Sequence, residues 1–224
     1  MSIRHTAKPH YPQASVLKTP PTSQAVLLST LKDHLRLDDS ELPILSEFLL
    51  AATEAVETQI GCALITQTWE VAMDQWPSGG NEPWWDGVRQ ASITILQGHA
   101  KTVDLPRWPL QSVTSVKTFD EDDTETDVNI ADTFYVDTFN RPGGLTLRSG
   151  STWPTATRNK NAIIIEYVAG YGADYRFIPP QLAAAVRMTA SYLYEHRGDG
   201  CSAGDALRDS GAMTMLSQFE VKRI

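Results

Sequence analysis

The spacing of apolar side chains changes period at Gly61, and no single kind of secondary structure satisfies both halves of that pattern. Through Leu42, Leu45, Phe48, Leu49, Ala52, Val56 and Ile60 the apolar residues recur every three or four positions. That spacing predicts a long helix with one buried face. Ser40 is its expected N-cap, Pro43 falls in the first turn where a missing amide N–H costs little, and Gly61 is the expected terminator. Beyond it, Ile65, Trp69, Val71 and Met73 alternate with Thr66, Thr68, Glu70 and Asp74. This two-residue period belongs to a strand buried on one face. A chain carrying both patterns needs a helical layer and a sheet.

The flanking sequence extends each pattern. Leu27, Leu28, Leu31 and Leu35, with Thr22 or Ser23 as cap, predict a shorter helix. It is joined to the long one by the polar link Asp38 and Asp39, as an antiparallel hairpin. Strand-like runs follow at Ser92 to Leu96, Val113 to Phe119, Phe134 to Val136, Leu145 to Leu147 and Ile163 to Val168. Pro142, Gly143 and Gly144 mark a hairpin between two of them, and the acidic run Asp120 to Asp127 makes another connection. Pro179 and Pro180 open a third helix whose face carries Leu182, Val186, Thr189, Leu193 and Tyr194, with Gly198 just past its end. A short helix is expected near Asp205 to Leu216, then a poorly anchored tail of Phe219, Val221, Lys222, Arg223 and Ile224.

The expected class is α+β: an antiparallel helix bundle of two N-terminal helices plus a C-terminal helix, with an inserted antiparallel β-sheet domain and an extended C-terminal tail. The expected divisions are an extended arm over residues 1–22, a helical layer over 23–62 and 178–198, a β insertion over 63–177, and a link and tail over 199–224. The arm holds Pro9, Pro12, Pro20 and Pro21 with Lys8 and Lys18, and lacks the apolar stretch of a secretory signal. No apolar run approaches the length of a membrane span. The two cysteines, Cys62 and Cys201, lie far apart without a histidine pair nearby and read as reduced thiols. A net charge of −8 argues against a protein that grips nucleic acid by neutralising phosphates.

Each chemical motif has a structural reading that fits better. The run DEDDTETD over 120–127 resembles a calcium loop, yet its sixth position is Glu125 where a glycine is needed and its twelfth is Ala131 where a glutamate is needed. It reads as a solvated turn. Glu195, His196, Arg197, Gly198 and Asp199 read as a helix end, with basic side chains on the dipole and a terminating glycine. Gly170, Tyr171 and Gly172 lack the third glycine of a dinucleotide loop and read as a turn after a strand. Of the six tryptophans, Trp69 alternates into a core face, and a loop rich in Gly, Pro and Trp runs from Trp76 to Gly87. Trp84 and Trp85 within it read first as an interface pair; a carbohydrate-binding or host-recognition platform is the alternative. No catalytic, metal-binding or cofactor-binding residue is expected, and the chain is read as not an enzyme.

Read in order, several segments are similar to one phage family: TPP at Thr19 to Pro21, LKDHLRLDD at Leu31 to Asp39, and ALITQTWE at Ala63 to Glu70. The similarity continues in LPRWPLQSVTSV at Leu105 to Val116, YVDTFNRPGGLTL at Tyr135 to Leu147, IEYVAGYG at Ile165 to Gly172 and IPPQLAAAVRM at Ile178 to Met188. Over roughly residues 16 to 198 the chain resembles the head-tail connector, or adaptor, proteins of long-tailed phages, prophages and gene transfer agents. It departs from them in its longer N-terminal arm, its Trp loop and its tail.

The resemblance implies a virion structural protein at the neck, made in the host cytoplasm, without cofactor or membrane. It implies a ring of about twelve copies below the portal protein, leading toward a stopper or tail-completion protein, with DNA passing through without sequence-specific binding. Within that expectation the tail, Phe219, Val221, Lys222, Arg223 and Ile224, is the candidate portal contact. Asp33, Arg36 and Glu47 on the helical layer, with Trp84 and Trp85, are the candidate ring contacts.

Overall fold

The computed structural model describes residues 14–77, 101–199 and 202–220. The chain is α+β, and its buried residues gather into two clusters, one helical and one between sheets.

Helix α1 spans Leu28–Leu35 and α2 spans Leu42–Ile60. Neither uses the expected cap. Ser23 donates its hydroxyl to the Ala173 carbonyl (3.0 Å), and Ala25 and Val26 are buried ahead of the helix, so α1 begins only after Leu27. Ser40 lies inside a short 3-10 turn, Asp39–Glu41, that runs directly into α2. Arg36 ends α1 in the left-handed conformation (φ 56°), and Gly61 ends α2 the same way (φ 68°), where glycine carries no Cβ penalty. The buried stripe of α2 is Leu45, Leu49, Ala52, Val56 and Ile60, one residue per turn on one face.

Opposite it packs α4, Pro180–Glu195, burying Leu182, Ala185, Val186, Ala190 and Leu193. Both proline positions suit a helix start, since an N-terminal turn has no amide partner to lose. Each fully buried leucine here contributes on the order of 1.5–3 kcal/mol. The expected helix over 205–216 is two helices, α5 (Ala203–Asp209) and α6 (Ala212–Leu216), because Gly211 between them takes φ 78°. Both close over the same cluster through Ala206, Leu207, Ala212 and Leu216. Phe219 also packs against it, so the expected loose tail is anchored at least to that residue.

The β region is two sheets where one was expected. The larger holds β1 (Ala14–Thr19), β2 (Gln67–Met73), β4 (Leu110–Phe119), β5 (Glu125–Asp127) and β8 (Ile163–Ala169), in the order β1-β2-β8-β4-β5. The smaller holds β3 (Thr102–Asp104), β6 (Phe134–Asp137) and β7 (Gly144–Leu147), in the order β3-β7-β6; a four-residue helix, α3 (Ile130–Thr133), leads into β6. All neighbouring strands are antiparallel. β2 and β8 alternate strictly between buried and half-buried residues, and their register sets Trp69 beside Tyr167, Val71 beside Ile165 and Met73 beside Ile163. That face shares one core with Val103, Phe134, Leu145 and Leu147 of the smaller sheet.

Three expectations change. Residues 14–19 of the expected arm are an edge strand on β2. The acidic connection includes a strand, β5, paired with β4. Trp76, expected to open a loop, is buried, its indole stacked on Trp153 (centroids 4.7 Å apart) and donating to the Pro154 carbonyl (2.8 Å). The expected strand over 92–96 lies outside the described residues.

Two of the passages between helices and sheets, the one from α2 into β2 and the one out of β8 toward α4, are bonded to each other. Thr66 N–H donates to the Gly172 carbonyl (2.9 Å) and Tyr171 N–H to the Leu64 carbonyl (3.3 Å). Gly170, at φ 137°, passes so near that a Cβ there would sit 2.5 Å from the Ile65 carbonyl oxygen. The segment before β4 seals the junction: Trp108 Nε1 donates to the Ile60 carbonyl (3.1 Å), and Arg107 donates to the carbonyls of Glu57 (2.9 Å) and Cys62 (3.3 Å) while its guanidinium lies over Trp69. The Glu57 carboxylate accepts from Leu64 N–H (2.6 Å) and Gln67 Nε2 (2.9 Å); burial nonetheless pushes its pKa above the usual carboxylate range. Burial likewise pushes the Cys62 thiol up, so it is held as an unreactive core group.

Candidate assembly surfaces

The described surface carries apolar side chains that a solitary chain leaves in water. On the helical side Leu27, Ile44 and Leu50 are exposed, Leu50 at 59%. On the smaller sheet Tyr135 is exposed beneath the Arg148 guanidinium, 3.9 Å from the ring centre. Phe139, in the turn between β6 and β7, is 97% exposed.

That turn is fixed from within. The Asp137 carboxylate accepts from the Asn140 side-chain amide and from the backbone N–H of Phe139 (3.0 Å) and Asn140 (3.2 Å). The Asn140 side-chain bond first, and the backbone bonds with it, hold Asp137 below the usual carboxylate range. An aromatic ring on a turn so tied is presented at little further cost in conformational entropy.

The edges of the larger sheet form a second kind of surface. Among the described residues β1 and β5 end the strand order, and an edge strand presents unpaired N–H and C=O groups. On β1 Val16 is 62% exposed and Leu17 39%. Residues 120–127 are exposed throughout. Asp120 accepts from the N–H of Asp122 (3.0 Å) and Thr124 (2.8 Å), Asp123 pairs with Arg158 (3.2 Å) and Glu125 with Lys117 (2.5 Å). Across the outer face Lys18 reaches Glu166 (2.5 Å) and Glu70 (3.8 Å), which raises its pKa chiefly through the Glu166 bond.

A groove of about 360 Å³ lies at the junction, lined by Ile60, Gly61, Pro106, Trp108, Pro142 and Glu220 among others. Gln59 Nε2 donates to Glu220 (3.5 Å) at its rim. Among the described residues no group of three or more His, Cys, Asp or Glu is placed to hold a metal ion. Nor is any helix among them long and apolar enough to cross a membrane.

Of the residues singled out from sequence, Asp33, Arg36 and Glu47 are exposed, the first two on and just past α1 and the third on α2. Phe219 is half-buried on the helical cluster. Trp84, Trp85, Val221, Lys222, Arg223 and Ile224 lie outside the described residues. His196 stacks on Tyr192 (centroids 3.9 Å apart) with its Nδ1 2.9 Å from the Tyr192 carbonyl, the arrangement of a helix end. Leu50 and Phe139 were missed. Leu50 sits off the stripe of α2 by one residue, and Phe139 follows the Asp-x-x-Asn pattern of a self-bonded turn; both are readable signals.

No protein-family model matches this chain, and no curated protein matches it. Solved structures do. It is similar to a chain of the structure described as "Virion of native gene transfer agent (GTA) particle", with 24% identity, a TM-score of 0.72, and coverage of 94% of this chain and 96% of that one. A chain of "Neck of empty GTA particle computed with C6 symmetry" matches at 24% identity and TM-score 0.70, covering 95% and 97%. A chain of "Neck of native GTA particle computed with C12 symmetry" matches at 25% identity and TM-score 0.66, with the same coverage. The likeness is one of fold, and it extends over nearly the full length of each chain.

Proposed function

We propose that this chain is a structural subunit of a virion neck. More closely, it is the adaptor that forms a ring under the portal protein and extends the DNA channel toward a stopper or tail-completion protein. The observation that carries this is the near full-length likeness to chains of gene transfer agent particles, two of them in necks computed with C6 and C12 symmetry. Phe139, held almost fully in water on a turn tied by Asp137, is compatible with it as an aromatic anchor for a partner. The subunit acts by binding and shape, without catalysis.

Charge fits a conduit. About twelve copies at −8 each give a ring near −100, which repels DNA phosphates and lets a packaged duplex slide. The C-terminal residues Phe219 to Ile224 are the proposed portal contact, and Asp33, Arg36 and Glu47 with Trp84 and Trp85 the proposed ring contacts.

The purified chain, imaged by negative stain alone and mixed with the portal protein of its own particle, tests this. Rings on the portal are expected, and removal of residues 219–224 is expected to abolish attachment. Monomers in both samples would overturn the reading, and glycan binding by such monomers would favour a host-recognition module.

A further inference from the structure

Two elements of the described surface carry opposite charge. Helix α2 contains Glu47, Glu54 and Glu57 and no basic residue. Glu57 turns inward to the Leu64 N–H and Gln67, while Glu47, Leu50 and Glu54 are exposed. Their spacings of three and four put these three on one outer face of the helix, with the two carboxylates about 10 Å apart along its axis. The β6–β7 hairpin has the opposite character. Residues 134–148 hold one carboxylate, Asp137, and two arginines. Asp137 is taken up by its own turn, which presents Phe139, while Arg141 lies over the Trp108 ring and Arg148 over the exposed Tyr135. Among the described residues, none of Glu47, Glu54, Arg141 and Arg148 belongs to an ion pair.

We infer that the outer face of α2 in one copy is covered by the β6–β7 hairpin of the next, with Phe139 on Leu50 and the two arginines toward Glu47 and Glu54. This rests on the ring reading above and names what faces Glu47 across the subunit boundary. Complementary charge selects the pairing, since helix on helix would set carboxylate against carboxylate and hairpin on hairpin would set guanidinium against guanidinium. An aromatic side chain on a fixed turn supplies the anchor, and covering it excludes water from the charged groups around it. Contact between two different faces is heterologous, and such a contact repeated around an axis closes a ring.

Photo-cross-linking tests it on the full chain mixed with the portal protein of its own particle. Phe139 is replaced by the photoreactive p-benzoylphenylalanine, which keeps an aromatic ring on the turn. On illumination, cross-linked pairs of subunits are expected to join residue 139 of one copy to residues 43–58 of another, read by peptide mass spectrometry. Glu47→Lys and Glu54→Lys together, both at exposed positions, are expected to lower the cross-linked yield at least about tenfold at low salt. Adding Arg141→Glu to that variant is expected to recover part of the yield.

The same samples are imaged by negative stain. Rings on the portal whose cross-links fall outside α2, or a yield unmoved by the two lysines, would overturn this inference and leave the ring reading standing. Absence of both rings and cross-linked pairs would overturn both.

Discussion

The indole N–H of Trp108 donates to the backbone carbonyl of Ile60 at 3.1 Å, so a side chain from the segment before β4 satisfies a carbonyl in the last turn of α2. A helix end leaves its final carbonyls without partners inside the helix, and here one is answered by a side chain far along the sequence that shares the helical cluster. Trp108→Phe removes that donor and part of the buried ring. It is expected to destabilise the chain by about 2–4 kcal/mol, read as a lower urea midpoint at unchanged slope.

Among the described residues Gly170 is the one glycine whose replacement meets both a strained φ and a backbone clash. Gly170→Ala is expected to cost at least about 2 kcal/mol in thermal or urea unfolding, with the exposed Gly150→Ala, which meets no neighbouring atom but shares a positive φ, costing less.

Glu57 predicts a pH dependence with a definite sign. Its folded pKa lies above the ordinary value of 4.5, with burial the leading cause, so the folded chain holds this proton more tightly than the unfolded chain does. The stabilisation linked to that proton is complete below the unfolded pKa and is lost as pH rises through the folded one. Glu57→Gln keeps an oxygen for the Leu64 N–H and does not titrate. The stability of the variant relative to the native chain is therefore expected to improve from about pH 4 to pH 8, measured by urea unfolding across that range.

Phe139 separates folding from assembly. Phe139→Ser is expected to change unfolding stability by less than about 0.5 kcal/mol, since the ring touches water almost everywhere, while lowering incorporation into particles. The check is a count of the variant in purified particles beside its melting temperature; full incorporation would show that the ring plays no part in docking.

How much of this was legible in the sequence follows from how far apart the deciding residues are. The α2 stripe with Gly61 and the alternation in β2 depend on neighbours and were read from spacing alone, and β8 from its strand-like run. β1 was not, because ASVLKT sits between prolines and becomes a strand only by pairing with residues 68–72, some fifty positions on. β3 and β5 are three residues each, too short for a period to show. The division into two sheets is likewise a matter of long-range register, and Trp76 turns inward because Trp153 and Pro154 receive it. Among the surfaces, Asp33, Arg36 and Glu47 were proposed from their charge on the expected helical layer, whereas Leu50 and Phe139 needed their departure from the local apolar pattern to be noticed.

The paired crossings at residues 64–66 and 170–172 leave no slack between the helices and the sheets. A hinge needs a few residues free to change their dihedral angles, and here the two crossings are bonded to each other and meet Trp108, through the Ala63 N–H on one side and the Tyr171 ring on the other. A load applied at the rim of the larger sheet is therefore passed to α2 and its neighbours with little bending, as through a stiff bracket.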